Sequence, residues 1–139
     1  MRLRGSKPMP ELRAAALLRI DAAAERARLR FAVEGLGAAL EYLATEAEAR
    51  LLLSQPGKPP TAAAYPLVAS EVSARRKGRK ETVTMLAAAV EIVAAADAWK
   101  LTMATIREVR RTAKLAVAAA QNPAEIAAAE AVTWPTPSP

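Results

Sequence analysis

The 139-residue sequence contains no cysteine and no histidine. Disulfide bonds, thiolate nucleophiles and imidazole bases are therefore excluded, and so is every zinc site that needs thiolate or imidazole ligands. No uncharged run approaches the roughly 20 apolar residues of a membrane-spanning helix. The first 20 residues are basic but lack the apolar centre and the cleavage site of a secretory signal. We therefore expect neither a membrane protein nor an exported one.

Alanine dominates what is present, supplying 36 of the 139 residues, whereas Phe, Trp and Tyr together supply five. Alanine loses no side-chain entropy in a helix, so this composition favours helices. Small side chains also bury little apolar area per residue, which limits the core that one chain can form. The length predicts one compact domain, or one domain plus tails, and the net charge is +6.

The chain divides into a basic arm over residues 1–9, one helical domain over residues 10–133 and a proline-rich tail over residues 134–139. A first long helix is predicted from Pro10 to about Leu53, with a bend or a change of packing partner near Gly35 and Gly37. Its apolar residues form two successive stripes at helical spacing. The first stripe is Leu17, Ile20, Ala24, Ala27 and Phe31, and the second is Leu29, Val33, Leu36, Leu40, Leu43, Ala47 and Leu51.

Proline and glycine in residues 54–60 end this helix, and Pro66 is placed to begin a short second one. The run RRKGRK over residues 75–80 is predicted to be a basic loop. A second long helix follows over about residues 81–120. Asn122, Pro123 and Glu125 then form the N-terminal signature of a short last helix.

No segment alternates apolar and polar residues as a strand would. The predicted fold is therefore all-α: an elongated helical hairpin or bundle of two long helices and two short helices, with extended tails. Helices of about 40 residues would be about 60 Å long, which leaves little interior for a solitary chain. We therefore expect a homo-oligomer, or docking on a larger protein.

A seven-residue repeat of bulky residues marks one seam of the second long helix. Such residues among alanines are typical of a core or of an inter-subunit contact. Trp134, next to the proline-rich tail, either enters a pocket of a neighbour or folds back onto its own bundle. The residues assigned to partner binding are Met85, Ile92, Trp99, Met103, Ile106 and Trp134.

Basic residues gather where the hairpin would bring the first helix beside the second half of the last long helix. This proposed basic patch consists of Arg19, Arg26, Arg30, Lys100, Arg107, Arg111 and Lys114. It would steer an anionic partner, or it is a solvated charged face with local ion pairs. The RRKGRK run has the composition of a phosphate-binding patch, yet no nucleic-acid-binding motif and no interleaved aromatic residues accompany it.

Catalysis has little support in the sequence. Glu41 and Glu48 form a surface row, Glu46 lies on another face, and no nucleophile motif or phosphate loop is present. We therefore predict no enzyme activity, no catalytic residue, no metal site and no cofactor.

Several short segments resemble a group of alanine-rich helical proteins encoded among bacteriophage tail genes, often beside tail-fibre proteins. The similarity lies in IDAAAERARLRF (residues 20–31), YPLVA (residues 65–69), Ala98-Trp99, the stretch from Ile106 to residue 117, and VTWP (residues 132–135). The resemblance implies a virion part or a helper in fibre assembly, and it carries no catalytic motif.

The leading expectation is therefore a non-enzymatic structural component of a bacteriophage tail, fibre-associated or an adaptor, made in the bacterial cytoplasm and found in the virion. Its partners would be other tail proteins and copies of itself. Two alternatives remain: a tail-fibre assembly chaperone, and a basic nucleic-acid-binding protein that uses the arm, the basic patch and RRKGRK.

Overall fold

A computed structural model describes residues 7–31 and 35–137, with side chains from residue 38 onwards in the second range. All regular structure in these ranges is helical, which confirms the all-α prediction. The five helices are α1 (Met9–Leu29), α2 (Gly35–Leu53), α3 (Pro66–Arg79), α4 (Met85–Ala119) and α5 (Pro123–Glu130). Most of the predicted basic arm (residues 1–6) and the last two tail residues lie outside the described residues.

The chain forms two compact units. The first unit comprises Met1–Ala32 and Leu101–Pro139, and the second comprises Val33–Lys100. Helix α4 supplies its residues up to Lys100 to the second unit and its remaining residues to the first.

In the first unit, α1 packs its predicted first stripe against α4 and α5. Ile20, Ala24 and Ala27 of that stripe are buried, as the three- and four-residue spacing predicts. Leu17 and Phe31 are only partly buried, and Ala16, outside the predicted stripe, is buried as well. Pro10 lies in the first turn, where its missing N–H is no loss, and Glu11 adds an acidic side chain at the positive end of the helix dipole.

Polar contacts fix the direction of α1 against the second half of α4. The Arg13 guanidinium donates to the Ala120 carbonyl oxygen at 2.7 Å, and Lys114 Nζ lies 3.1 Å from Asp21 Oδ1. Higher numbers in α1 therefore meet lower numbers in α4, so the two segments run antiparallel.

The start of α5 has the predicted cap. The Asn122 side chain accepts a hydrogen bond from the Glu125 backbone N–H at 2.9 Å, and the Glu125 carboxylate accepts one from the Gln121 N–H. These contacts satisfy backbone donors that the helix leaves unpaired. Ile126 and Ala129 then pack into the same core as Ile20 and Val117.

In the second unit, α2, α3 and the first half of α4 enclose a separate small core. Its buried members are Ala49, Leu52, Tyr65, Val68, Ala88 and Ala89. Pro66 begins α3, as predicted, and the Val68 backbone N–H at its start donates to the Glu48 carboxylate at 2.8 Å.

The predicted single helix over residues 10–53 is wrong, because α1 ends at Leu29 and α2 begins at Gly35. Arg30 and Phe31 form a turn, in which their N–H groups donate to the carbonyls of Ala27 and Arg28. The point where the two stripes exchange is thus the end of one helix rather than a bend. Both glycines proposed as the bend belong to α2. Val33 and the side chain of Leu36 lie outside the described residues.

The predicted basic loop over residues 75–80 is also wrong, because all but its last residue belong to α3. Cations in a last helical turn interact favourably with the negative end of the helix dipole, which offsets the cost of Gly78 within the helix. Lys80 ends α3 in the left-handed conformation (φ 53°), and its N–H donates to the Arg75 carbonyl.

Alanine forms much of the buried interior. Nine of the sixteen buried apolar residues in the described ranges are alanines, and Ile106, Val68 and Val117 are the largest side chains that are fully enclosed. Small side chains let helix backbones approach closely, so the cores are thin and leave no room for larger groups.

Candidate interaction surface

Helix α2 carries apolar side chains on two opposite faces. Ala49 and Leu52 pack into the core of the second unit. At about 100° per residue, Leu40, Leu43 and Leu51 project from the other side of the helix. A helix that is apolar on both sides is buried on both sides in most proteins, so α2 carries more apolar surface than its own unit covers.

The outer side of α2 is exposed along its length. The exposed fractions are 57% for Leu40, 61% for Leu43 and 53% for Leu51. We call these three side chains the leucine stripe. They occupy the predicted second apolar stripe, so the sequence identified the residues but not their exposure. Tyr42, 63% exposed, projects from the opposite side of the same helix.

Leaving the leucine stripe in water is costly. Complete burial of one leucine side chain contributes about 1.5–3 kcal/mol of free energy. Covering a side chain that is half exposed would therefore contribute about 1 kcal/mol more. Covering all three would therefore contribute about 3 kcal/mol to an association. Leu86 and Val90, both more than half exposed on the first half of α4, add further apolar surface to the same unit.

Ion pairs join the flank of α2, next to the leucine stripe, to α4. Glu46 accepts hydrogen bonds from Lys100 Nζ and from Arg50 Nε, both at 2.8 Å. These two cations, Lys100 first, lower the pKa of the Glu46 carboxyl. Arg50 also donates to Asp97 at 2.6 Å, so two charged contacts join one turn of α2 to α4, and the Glu46–Arg50 pair within α2 links them.

The residues predicted for partner binding are distributed over both units. Met85 and Ile92 are partly buried against the core of the second unit. Ile106 is fully buried against Ala24 and Ala27, and Met103 packs on the same cluster. These four side chains serve the chain's own cores and are not free surface.

Trp99 is the exception among the residues of the predicted seam. Its side chain is 51% exposed and belongs to none of the buried clusters of the described residues. An exposed indole on a helix is available to a partner, as the prediction requires. Within the chain alone it contributes less to stability than a fully buried tryptophan would.

Trp134 folds back onto its own unit. The indole packs partly buried against the cluster around Ile126 and against the cluster around Ile106. Residues 131–137 are non-helical, as the prolines of this tail predict. Of the two possibilities for Trp134, this chain therefore adopts the one in which the tail covers its own core.

The residues of the predicted basic patch fall into two groups: some form ion pairs and others form none. Arg19 donates to Glu130 through two nitrogens, and Lys114 pairs with Asp21. Lys100 belongs to the second unit and pairs with Glu46. Arg26, Arg30, Arg107 and Arg111 are exposed and form no ion pair with any described residue. The Arg19 hydrogen bonds lower the pKa of Glu130.

Arg75 is the centre of a network that the sequence did not reveal. It is the most enclosed of the RRKGRK cations and contacts Glu71 at 2.7 Å and Glu91 at 2.5 Å, with Glu81 at 3.7 Å. Hydrogen bonds to Glu71 and Glu91 raise the pKa of its guanidinium. The arginine thus ties α3 to α4, whereas Arg76 and Lys77 beside it are exposed.

Neither a metal cluster nor a membrane span is found in the part of the chain that the structure describes. No three acidic side chains there are grouped to hold a metal ion. None of the helices is long and apolar enough to cross a membrane.

Comparison with known proteins adds no relative. No protein-family model, no curated protein and no solved structure matches the chain. The proposed function is therefore inferred from the surfaces described above, among which the leucine stripe places three exposed leucines within three turns of one helix.

Proposed function

We propose that the protein is a non-enzymatic structural subunit that packs the leucine stripe of α2 against helices of neighbouring protein subunits, including copies of itself in a helical bundle. The single observation that supports this proposal is the exposure of Leu40, Leu43 and Leu51 along one side of α2, whose other side is buried in its C-terminal half at Ala49 and Leu52. Trp99, Leu86 and Val90, which are exposed on α4 in the same unit, would extend the contact.

The setting that we propose is a bacteriophage tail. The support comes from the resemblance of the YPLVA and VTWP segments, together with Ala98-Trp99, to alanine-rich proteins of tail gene clusters. In this setting the protein is a fibre-associated or adaptor subunit of the virion. The runner-up is a fibre-assembly chaperone, which would use the same leucine stripe transiently.

Sedimentation velocity of the purified chain tests the contact. We expect a concentration-dependent oligomer for the wild type, and a monomer for Leu40→Glu/Leu43→Glu with unchanged helicity by circular dichroism. A matched control carries the same two charges on exposed leucines of the first unit, as Leu18→Glu/Leu115→Glu, and should still associate. A monomeric wild type that also fails to bind tail proteins, or equal loss in both variants, would contradict the proposal.

Mass spectrometry of purified particles distinguishes the subunit from the chaperone. A fixed copy number relative to the major tail protein indicates a structural subunit. Presence in the lysate with absence from finished particles indicates the chaperone. Absence of any tail gene beside the coding gene would remove the phage setting and leave the contact itself to the sedimentation experiment.

A nucleic-acid-binding role is the second candidate, and it is supported by the exposed cations Arg76, Lys77 and Lys80 at the end of α3. Each phosphate contact would make binding to duplex DNA weaken steeply with salt. Anisotropy across a salt series tests this candidate. A dissociation constant weaker than about 100 µM at physiological salt lies at the edge of ordinary non-specific binding and would exclude it.

A further inference from the structure

A small open pocket lies in the first unit, between α1, the end of α5 and the C-terminal tail. Its volume is about 260 Å³, and Arg19, Ala22, Ala23, Arg26, Glu130 and Trp134 line it. None of these residues belongs to the leucine stripe, so the pocket is a separate feature from the proposed contact surface.

The sequence of α1 explains why there is a depression at this point. Arg19 and Arg26 are seven residues apart, which places them on one side of the helix about 10 Å from each other. Ala22 and Ala23 lie between them, and their short side chains leave the helix surface low. Trp134 and Glu130 then close the remaining side of the depression.

The three charged side chains of the pocket, Arg19, Arg26 and Glu130, leave a net charge of +1. Arg19 donates to both oxygens of Glu130, at 2.8 Å from Nε and 2.5 Å from the terminal nitrogen. This pair neutralises one cation. Arg26 is exposed and forms neither an ion pair nor a hydrogen bond with any described residue. A guanidinium with free N–H donors beside an apolar floor favours a carboxylate.

The apolar part of the pocket indicates what the anion should carry. Ile20, Ala22 and Ala23 provide an aliphatic floor, and the Trp134 indole provides a flat aromatic wall. Aromatic rings pack well against an indole, in offset or edge-to-face arrangements. The volume is slightly below the usual range of about 300–1,000 Å³ for small-molecule sites, so a nucleotide with several phosphate charges suits neither the space nor the single free cation.

We propose that this pocket binds a small organic monoanion with an aromatic body, that is, an aryl carboxylate whose carboxylate pairs with Arg26 and whose ring packs against Trp134. The proposal is independent of the tail-subunit proposal, because it concerns other residues and another unit.

Nuclear magnetic resonance offers a direct test, because the sequence has only two tryptophans and therefore two indole N–H signals. The probe is naphthalene-2-carboxylate, and the uncharged naphthalene-2-methanol is its matched control. We expect a saturable shift of the Trp134 signal with a dissociation constant of about 1 mM, the value that ligand efficiency allows for so few atoms. The Trp99 signal, assigned with Trp99→Phe, should not follow the same curve.

Variants then test the two halves of the pocket. Arg26→Gln should weaken carboxylate binding by about tenfold or more, since it removes a charge-assisted hydrogen bond. Ala22→Leu should fill the floor and abolish the saturable shift. Arg107→Gln, which removes an exposed cation from α4 in the same unit, should leave binding unchanged, and melting temperatures should show that all three variants fold.

Three results would overturn the proposal. The first is the absence of a saturable Trp134 shift up to about 20 mM, far above the expected dissociation constant. The second is equal affinity for the uncharged alcohol, which would show that charge plays no part. The third is wild-type affinity in Arg26→Gln, which would remove the cation from the site.

Discussion

Helices α1 and α2 carry similar apolar stripes, yet the stripe of α1 is buried within the chain and that of α2 is exposed. Ala16, Ile20 and the alanines that follow them on α1 are buried against α4 and α5. The three leucines of the leucine stripe on α2 remain more than half exposed, although leucine is larger and more apolar than alanine. Periodicity therefore identifies an apolar face, but it does not say whether the same chain or another one covers that face.

Size explains part of the difference. The alanine face of α1 lets neighbouring helices come close, and α5 with the Trp134 tail covers what α4 does not. Nothing comparable covers the outer side of α2 among the described residues. In the second unit α3 and α4 pack on the inner side, where Ala49 and Leu52 lie.

The largest expected effect is a difference in the free energy of unfolding between a variant of a buried residue and a variant of the leucine stripe. Ile106→Ala should lower the free energy of unfolding by about 3 kcal/mol, because a fully buried isoleucine leaves a cavity. Leu43→Ala should cost less than about 1 kcal/mol in the dissociated chain, because most of that side chain is already in water. Urea denaturation at low protein concentration measures both values.

Association of the chains should depend on the exposed position and not on the buried one. Leu43→Ala should weaken the oligomer in sedimentation experiments, whereas the milder Ile106→Val, which keeps most of the core volume, should not. Equal unfolding costs for Ile106→Ala and Leu43→Ala would show that the leucine is buried within the chain and would contradict the contrast between α1 and α2.

A smaller effect is expected where α5 covers α1. Asn122→Ala removes the side chain that caps α5 and should cost about 1 kcal/mol. Asn122→Asp keeps an acceptor at the same position and should remain within a few tenths of a kcal/mol of the wild type. Thermal unfolding of the three proteins provides the comparison, and an Ala variant as stable as the Asp variant would show that the cap contributes nothing.

The features that the sequence predicted well are local ones. The Asn122 cap, the helix start at Pro66 and the buried stripe of α1 each follow from residues a few positions apart. The ends of α4 were also predicted within a few residues, because an alanine-rich heptad pattern without Gly or Pro favours one uninterrupted helix.

The features that it did not predict depend on residues far apart in the chain. RRKGRK was predicted to be a loop, but it belongs to α3 as far as Arg79, and Arg75 meets Glu71 on α3 and Glu91 on α4. The pocket beside Arg26 needs Trp134, more than a hundred positions later. In the sequence, two arginines separated by alanines are visible on α1. Without knowing where Trp134 lies, however, this pattern indicates only an exposed helix surface and not a pocket.

The end of α3 offers a stabilising change in the second unit. Lys80 adopts a positive φ of 53°, a conformation that glycine tolerates better than residues with a Cβ. Lys80→Gly should therefore stabilise the protein by about 0.5–1 kcal/mol. Lys77→Gly, the same substitution three residues earlier within the helix, should destabilise it by about the same amount. Changes of the same sign in both variants would rule out the backbone explanation.

The smallest expected effect compares one ion pair from each unit. The pKa of Glu130 is lowered by Arg19 and that of Glu46 by Lys100 and Arg50. A lowered carboxyl pKa in the folded state stabilises the protein above the unfolded value of about 4.3, and this stabilisation is lost as the pH falls further. Both pairs are near the surface, so salt should weaken them.

Melting temperatures between about pH 7 and pH 3 measure this loss. Glu130→Gln and Glu46→Gln should each melt at a lower temperature than the wild type at neutral pH and should converge with it in acid. A constant difference across the whole range would show that the lost contribution is packing and not charge.

The alanine-rich interior has a consequence for how this protein can change over time. A buried alanine such as Ala24 or Ala113 cannot become smaller without giving glycine, and any larger residue would force the helices apart at a cost of about 1–3 kcal/mol. Among related sequences we therefore expect the buried alanines to be almost invariant. The exposed leucines of α2 would vary freely in a chain that acts alone, and they would be conserved together with a partner if they bind one.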